Sequence, residues 1–206
     1  MDITDILPKS WNRRLYNDGV FYRPFTENMI IKKLLEFLPW FISRRFVKLT
    51  FREKVVEIPF VFSNLPSRPK KLRILEIGCT GSILSIMLSS LGHDVTGVDL
   101  RNYPFSHPNF RFIKGDFNQI KLPKKFFDVV ISVSTLEHFG IKHYGQKVED
   151  PDADRKAVKK IHEVLKKDGT LLLTFPFGKR CRTSWYRVYN MEDVNRLLKE
   201  FKIIPF

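Results

Sequence analysis

The sequence predicts an α/β protein built on a doubly wound, mostly parallel sheet, and three observations carry that expectation. An apolar strand, Leu72 to Ile77, enters the small-residue turn Gly78-Cys79-Thr80-Gly81-Ser82, and a second strand ends at Asp99. The β-branched run from Phe126 to Ser134 reads as a strand buried on both faces, as parallel sheets require. Ala153 to Lys167 carries apolar residues at Ala153, Ala157, Ile161, Val164 and Leu165, the spacing of an amphipathic crossover helix.

The first of these reads as a nucleotide-binding βαβ unit. A turn of small residues lets backbone N–H groups approach a ligand, the following helix presents its positive end, and an acid about twenty residues on can hold a ribose. The dinucleotide version is weak here, because Thr80 stands at the second glycine position and Ile83 at the third. Asp99 suits a ribose on chemical grounds, since a carboxylate is acceptor-only and can take two adjacent hydroxyls at once. Phe110 to Phe117 gives a further short strand followed by Gly115-Asp116. The Phe126 strand leads into Thr135-Leu136-Glu137-His138-Phe139, at the carboxyl edge where open α/β sheets bind ligands. With an unperturbed pKa near 6.5, His138 can take a proton from a hydroxyl nucleophile; the alternative is a histidine that only caps or packs. Asp128, at a strand start, reads as structural. Asp168-Gly169 is expected to end the long helix with glycine as its left-handed cap. Thr170 to Phe175 then forms the next strand, ended by Pro176. Asn190 is the expected cap of a helix with Asp193 as capping-box partner and Val194, Leu197 and Leu198 inside. Ile203-Ile204 reads as the start of one more strand.

The run Glu76, Gly78, Thr80, Gly81 and Ser82, with Asp99 and Asp116 after it, resembles the class I S-adenosylmethionine (SAM) methyltransferases. The resemblance implies SAM as cofactor, with Glu76 near its methionine end, Gly78 allowing close approach, Asp99 on the ribose hydroxyls and Asp116 against the adenine amino group. Cys79, Thr80, Gly81, Leu100, Phe117 and Ser134 fall in the same cofactor site. The run Ser134 to Gly140, with Tyr144-Gly145, Asp152, Asp154 and Thr174 to Gly178, is similar to a bacterial subgroup associated with surface-polysaccharide assembly. The expected activity is therefore methyl transfer, at oxygen, to a small-molecule or glycan-linked acceptor. Two competing readings are a non-catalytic SAM-binding scaffold and an RNA methyltransferase. Class I sheets have a seventh, antiparallel strand, and no sequence for it follows Phe206. The expectation is a sheet lacking that strand, its edge covered by another chain, as in a homo-oligomer, or by the N-terminal segment. Thr80 replaces a usual glycine, at a cost of about 1 kcal/mol if the backbone there must be left-handed.

The length of 206 residues suits one catalytic domain, 66–206, preceded by a helical extension or lid, 1–65. Cys79 and Cys181 are the only cysteines, which points to a reducing cytoplasm, and the N-terminus carries no signal pattern. The net charge of +14 divides evenly, +7 in residues 1–71 and +7 in 72–206. An excess so spread disfavours a dedicated nucleic-acid surface. Residues 29–49 mix Trp40, Phe41 and other apolar side chains with Lys and Arg, and Pro39 interrupts them. That suits either a lid over the cofactor or peripheral contact with anionic lipid, not a membrane span. Substrate contacts are expected from His143 and Tyr144 in one loop and from Arg182, Trp185 and Arg187 in another, aromatic faces with guanidinium groups between them. No metal-ligand pattern is evident.

Overall fold

The computed structural model describes residues 54–67, 69–146 and 149–204. The chain divides into two units, Met1–Pro59 and Phe60–Phe206, and every described strand belongs to the second. Of the N-terminal extension, helix α1 (Lys54–Ser63) is described. Residues 29–49, the expected lid or lipid contact, lie outside the described residues.

Five strands form one parallel sheet: β1 (Arg73–Ile77), β2 (Asp94–Asp99), β3 (Phe110–Lys114), β4 (Phe127–Val133) and β5 (Leu165–Thr174). Their spatial order is β3-β2-β1-β4-β5, every pairing parallel. β1 is central, and Ile74, Leu75 and Ile77 are almost wholly buried because helices must cover both faces of such a sheet. The chain winds outward from β1 to β3 on one side and then returns to lay down β4 and β5 on the other. The crevice at the carboxyl ends of β1 and β4 is therefore the topological switch point, where folds of this kind bind ligands.

Helix α2 (Leu84–Ser90) follows β1, and α3 (Ala153–Val164) links β4 to β5. Ala157, Val158, Ile161 and Val164 of α3 enter the same core as Leu75, Val130 and Phe127. That core also holds Val194, Leu197 and Leu198 at α4 (Met191–Leu197). The Asn190 capping box is complete: the Asp193 N–H donates to the Asn190 side chain at 2.9 Å, and the Asn190 N–H donates back to the Asp193 carboxylate at 3.3 Å. A two-stranded antiparallel ribbon, β6 (Cys181–Arg182) with β7 (Arg187–Val188), stands apart from the main sheet.

Two local expectations are corrected. Helix α3 ends at Val164, not Lys167, and Asp168 rather than Gly169 takes the left-handed backbone, at φ 61°. The cause lies in the register: Phe127 pairs with Leu165 and Val129 with Thr170, so Lys166 to Gly169 bulge outward. Lys166 is thereby brought onto Asp128, whose other oxygen accepts the Arg73 N–H at 2.8 Å. Burial alone would raise the Asp128 pKa, but these two partners hold it below the usual carboxylate range, in keeping with its structural reading. Ile203 and Ile204 form no strand and are exposed. Among the described residues, β5 pairs with β4 alone.

Candidate active site

Gly78 ends β1 and opens the turn. Its φ is +76°, and a Cβ there would lie 2.2 Å from the Thr135 hydroxyl, so both backbone and space demand glycine. Thr135, just beyond β4, thus packs the two halves of the switch point together. Gly81 is also left-handed, at φ +88°, but faces open space. Thr80 is not among the residues of positive φ, so the cost expected of its replacing glycine does not arise. Its hydroxyl is buried and finds no partner among the described residues. Glu76, 2% exposed, accepts a hydrogen bond from the Ser85 hydroxyl on α2 and so braces the turn from beneath. The Cys79 side chain is wholly buried, and burial followed by the charges of Glu76 and Asp99 pushes its thiol pKa up. The Tyr103 hydroxyl closes the far side of the turn by donating to the Ser82 carbonyl at 2.9 Å.

Asp99 is buried and heavily engaged. Oδ2 accepts the Thr80 N–H at 2.9 Å and Oδ1 the Arg101 N–H at 2.9 Å. The Arg101 guanidinium adds Nε to Oδ1 at 3.2 Å and Nη2 to Oδ2 at 3.3 Å, and Nη2 also donates to the Thr80 carbonyl at 2.9 Å. Leu100 between them is half-buried. Arg101 is a site residue that the sequence did not suggest, since a lone arginine after a strand carries no pattern.

Asp116 follows β3 and uses Oδ1 to accept the Asn118 N–H at 2.9 Å. The Phe117 ring lies in the core, edge-on to Phe139 with centroids 6.2 Å apart. Ser134, at the end of β4, has φ 43°, a conformation costly for serine, held by its N–H to Thr174 Oγ1 at 3.0 Å.

His138 ends a single 3₁₀ turn, Leu136–His138, beyond β4, and its side chain is 17% exposed. Nδ1 lies 2.7 Å from the Trp185 carbonyl oxygen. A carbonyl only accepts, so the neutral ring making this bond carries its proton on Nδ1 and its lone pair on Nε2. Burial lowers the imidazole pKa below the ordinary histidine value; the Trp185 carbonyl opposes this, and His143, Arg101 and Arg187 add to it. Burial thus favours the neutral imidazole, while the Glu137 carboxylate faces its Nε2 at 3.8 Å.

His143 and Tyr144, from one loop, and Trp185, from another, gather around it. Tyr144 stands edge-on to His138 at 5.2 Å and to His143 at 4.4 Å, and its hydroxyl accepts the Trp185 indole N–H at 3.1 Å. The first loop is tied at its base, where the Asp150 N–H donates to the Gly140 carbonyl at 3.0 Å. A Cβ at Gly140 would come 1.9 Å from the Asp150 carbonyl oxygen.

Two of the expected substrate contacts are engaged within the chain. Arg182 forms an exposed ion pair with Glu149 at 2.6 Å. Arg187 is buried, donates to the Phe139 and Glu137 carbonyls, and lies 4.0 Å from Asp154. Tyr189 bonds the same Asp154 at 3.0 Å. Arg187 therefore braces the turn that carries His138, while its Nη2 is buried with no hydrogen-bond partner among the described residues.

Residues 75–173 match the family described as a methyltransferase domain. A ubiquinone biosynthesis O-methyltransferase of Nitrosococcus oceani is 37% identical over 76 residues, 32% of this chain and 32% of that protein. The chain thus matches about a third of the length of this curated relative. The Burkholderia thailandensis 1,6-didemethyltoxoflavin-N1-methyltransferase, solved with 1,6-didemethyltoxoflavin and S-adenosylhomocysteine, superposes with a TM-score of 0.53 at 17% identity, covering 93% of this chain and 74% of that one. A SAM-dependent methyltransferase from Archaeoglobus fulgidus gives a TM-score of 0.57 at 17% identity, covering 79% and 73%. At these identities the structures speak for the fold. The described sheet has the class I methyltransferase α/β fold, and its match to a methyltransferase domain over residues 75–173 supports SAM as the cofactor. The glycine turn, the orphaned Thr80 hydroxyl and the carboxylates of Asp99 and Asp116 fit that cofactor chemically. Among the described residues no cluster of three or more His, Cys, Asp or Glu side chains is arranged for a metal ion, and no helix is long and apolar enough to cross a membrane.

Proposed function

We propose that the chain transfers the methyl group of SAM to a hydroxyl oxygen of a small-molecule or glycan-linked acceptor. The observation that carries this reading is the placement of His138: its Nδ1 is committed to the Trp185 carbonyl and its Nε2 lies 3.8 Å from the Glu137 carboxylate, at the sheet edge that also bears Gly78 and Asp99, and burial favours its neutral, basic form. Oxygen acceptors, unlike amines, need their proton removed as the new bond forms, and a base poised near neutrality serves that end. The partial likeness to a ubiquinone O-methyltransferase points the same way, and the sequence likeness to the polysaccharide subgroup favours a glycan-linked acceptor.

Asp99 is proposed to take the ribose hydroxyls, Asp116 the adenine amino group, and the turn from Gly78 to Gly81, braced by Glu76, the amino-acid end. Bound SAM supplies an already activated methyl group. What the chain must add is alignment, worth effective molarities on the order of 10⁵ to 10⁸ M, together with proton removal by His138. Trp185, Tyr144 and His143 offer ring faces to an acceptor and exclude water from its nucleophile.

Calorimetric titration of S-adenosylhomocysteine into the native chain and into Asp99→Ala tests the cofactor half. Binding that weakens about a hundredfold in the variant, as the loss of two charge-assisted hydrogen bonds requires, supports the reading. A folded native chain that binds neither SAM nor its demethylated product overturns it.

A further inference from the structure

Asp99 is asked to do two things that its four lone-pair sites cannot do together. The Thr80 and Arg101 N–H groups occupy one site on each oxygen, and the Arg101 guanidinium takes the remaining one on each. Asp99 cannot accept a ribose diol until that guanidinium leaves. The side chain is free to go: Asp99 is 6% exposed in its side chain, but Arg101 is 42% exposed, held by this carboxylate, the Thr80 carbonyl and one ring. That ring is Tyr144, with the Arg101 Cζ 4.6 Å from its centroid. Tyr144 in turn packs against His138 and bonds Trp185, so the exit route of the guanidinium leads onto the acceptor side.

We propose that Arg101 is an ion-pair gate between the two halves of the site. It closes Asp99 when the cofactor is absent. When the cofactor is bound, it becomes the cation that recognises an anionic group, a carboxylate or phosphate, on the acceptor. The inference rests on the cofactor reading above and adds to it an order of events and a charge for the substrate. Before the cofactor arrives, the cation is neutralised by Asp99 and offers an anionic acceptor little. After Asp99 turns to the ribose, the cation stands unpaired beside Tyr144 and needs an anion. Because coupling between two ligands is reciprocal, an anion that binds the freed guanidinium must tighten cofactor binding by the same factor.

The test is calorimetry with S-adenosylhomocysteine on the native chain and on Arg101→Gln, at constant ionic strength, with chloride replaced stepwise by inorganic phosphate as the anion probe. In chloride, Arg101→Gln is expected to bind about threefold to fivefold more tightly than the native chain, because no closed population has to be opened. Phosphate is expected to tighten binding to the native chain and to leave Arg101→Gln unchanged. Binding to Arg101→Gln that is equal to or weaker than native, or a phosphate response of the same size in both chains, overturns the gate and leaves the cofactor reading standing. If both chains are folded by circular dichroism and neither binds, the cofactor reading falls and the gate falls with it.

Discussion

The proposed cofactor and acceptor halves of the site are made of different material. The cofactor half is backbone and buried carboxylate: Gly78 locked against Thr135, the Thr80 N–H on Asp99, and Glu76 tied to Ser85, all at the ends of central strands. The acceptor half is side chain on loop: His143 and Tyr144 from one connection, Trp185 from another, meeting through ring contacts and one indole hydrogen bond. A ligand common to a whole family can be read by groups that the sheet fixes, whereas a ligand peculiar to one member must be read by groups that can change without unsettling the sheet. His138 belongs to both, since strand β4 delivers it and loop residue Trp185 orients it.

The sharpest way to separate the halves is His138→Ala. It should lower kcat roughly 10²- to 10⁴-fold while S-adenosylhomocysteine affinity stays as it was, and rates with an identified acceptor, beside calorimetry, check this. In the native enzyme the acidic limb of the pH–rate profile should fall below the ordinary histidine value, because the depressed pKa keeps the base form present to lower pH. A matching loss of cofactor affinity in the variant would break the division.

Gly78→Ala strikes the cofactor half. A left-handed alanine and a clash with the Thr135 side chain should together cost about 2–4 kcal/mol of stability and abolish cofactor binding, read by denaturant unfolding and by titration. Asp128→Asn lies outside both halves and should cost about 1–2 kcal/mol at neutral pH. The sign follows from its depressed folded pKa: the stabilisation is present above the unfolded value and is lost as pH falls through the folded one. The difference between native and variant melting should therefore shrink in acid. Arg182→Ala, which breaks an exposed pair with Glu149, should move stability by no more than about 0.5 kcal/mol, as thermal unfolding will report.

What could be read from the sequence follows the same division. The central strands β1 and β4 announce themselves as apolar runs because they are buried on both faces, and the turn after β1 needs small residues. The positions of Asp99 and Asp116, at the end of one strand and just past another, are legible because the sheet sets them. The Asn190 cap was legible because its partners lie within one turn of helix. The end of α3 was misplaced because a register shift between β4 and β5, a tertiary event, cut the helix short. The burial of Arg187 and its carbonyl partners some fifty residues away are invisible in one dimension. Arg101 went unseen because its meaning lies in a carboxylate, a carbonyl and a ring brought together by folding.

The tie between Gly140 and Asp150 has an evolutionary consequence. A loop whose ends are clamped can be lengthened or rewritten at small cost, about 0.6 kcal/mol for each doubling of length, since closure entropy grows only with the logarithm of the chain enclosed. Selection can therefore exchange what lies between the clamps as a cassette, trading one acceptor for another in a lineage while the inherited chemistry beneath keeps working.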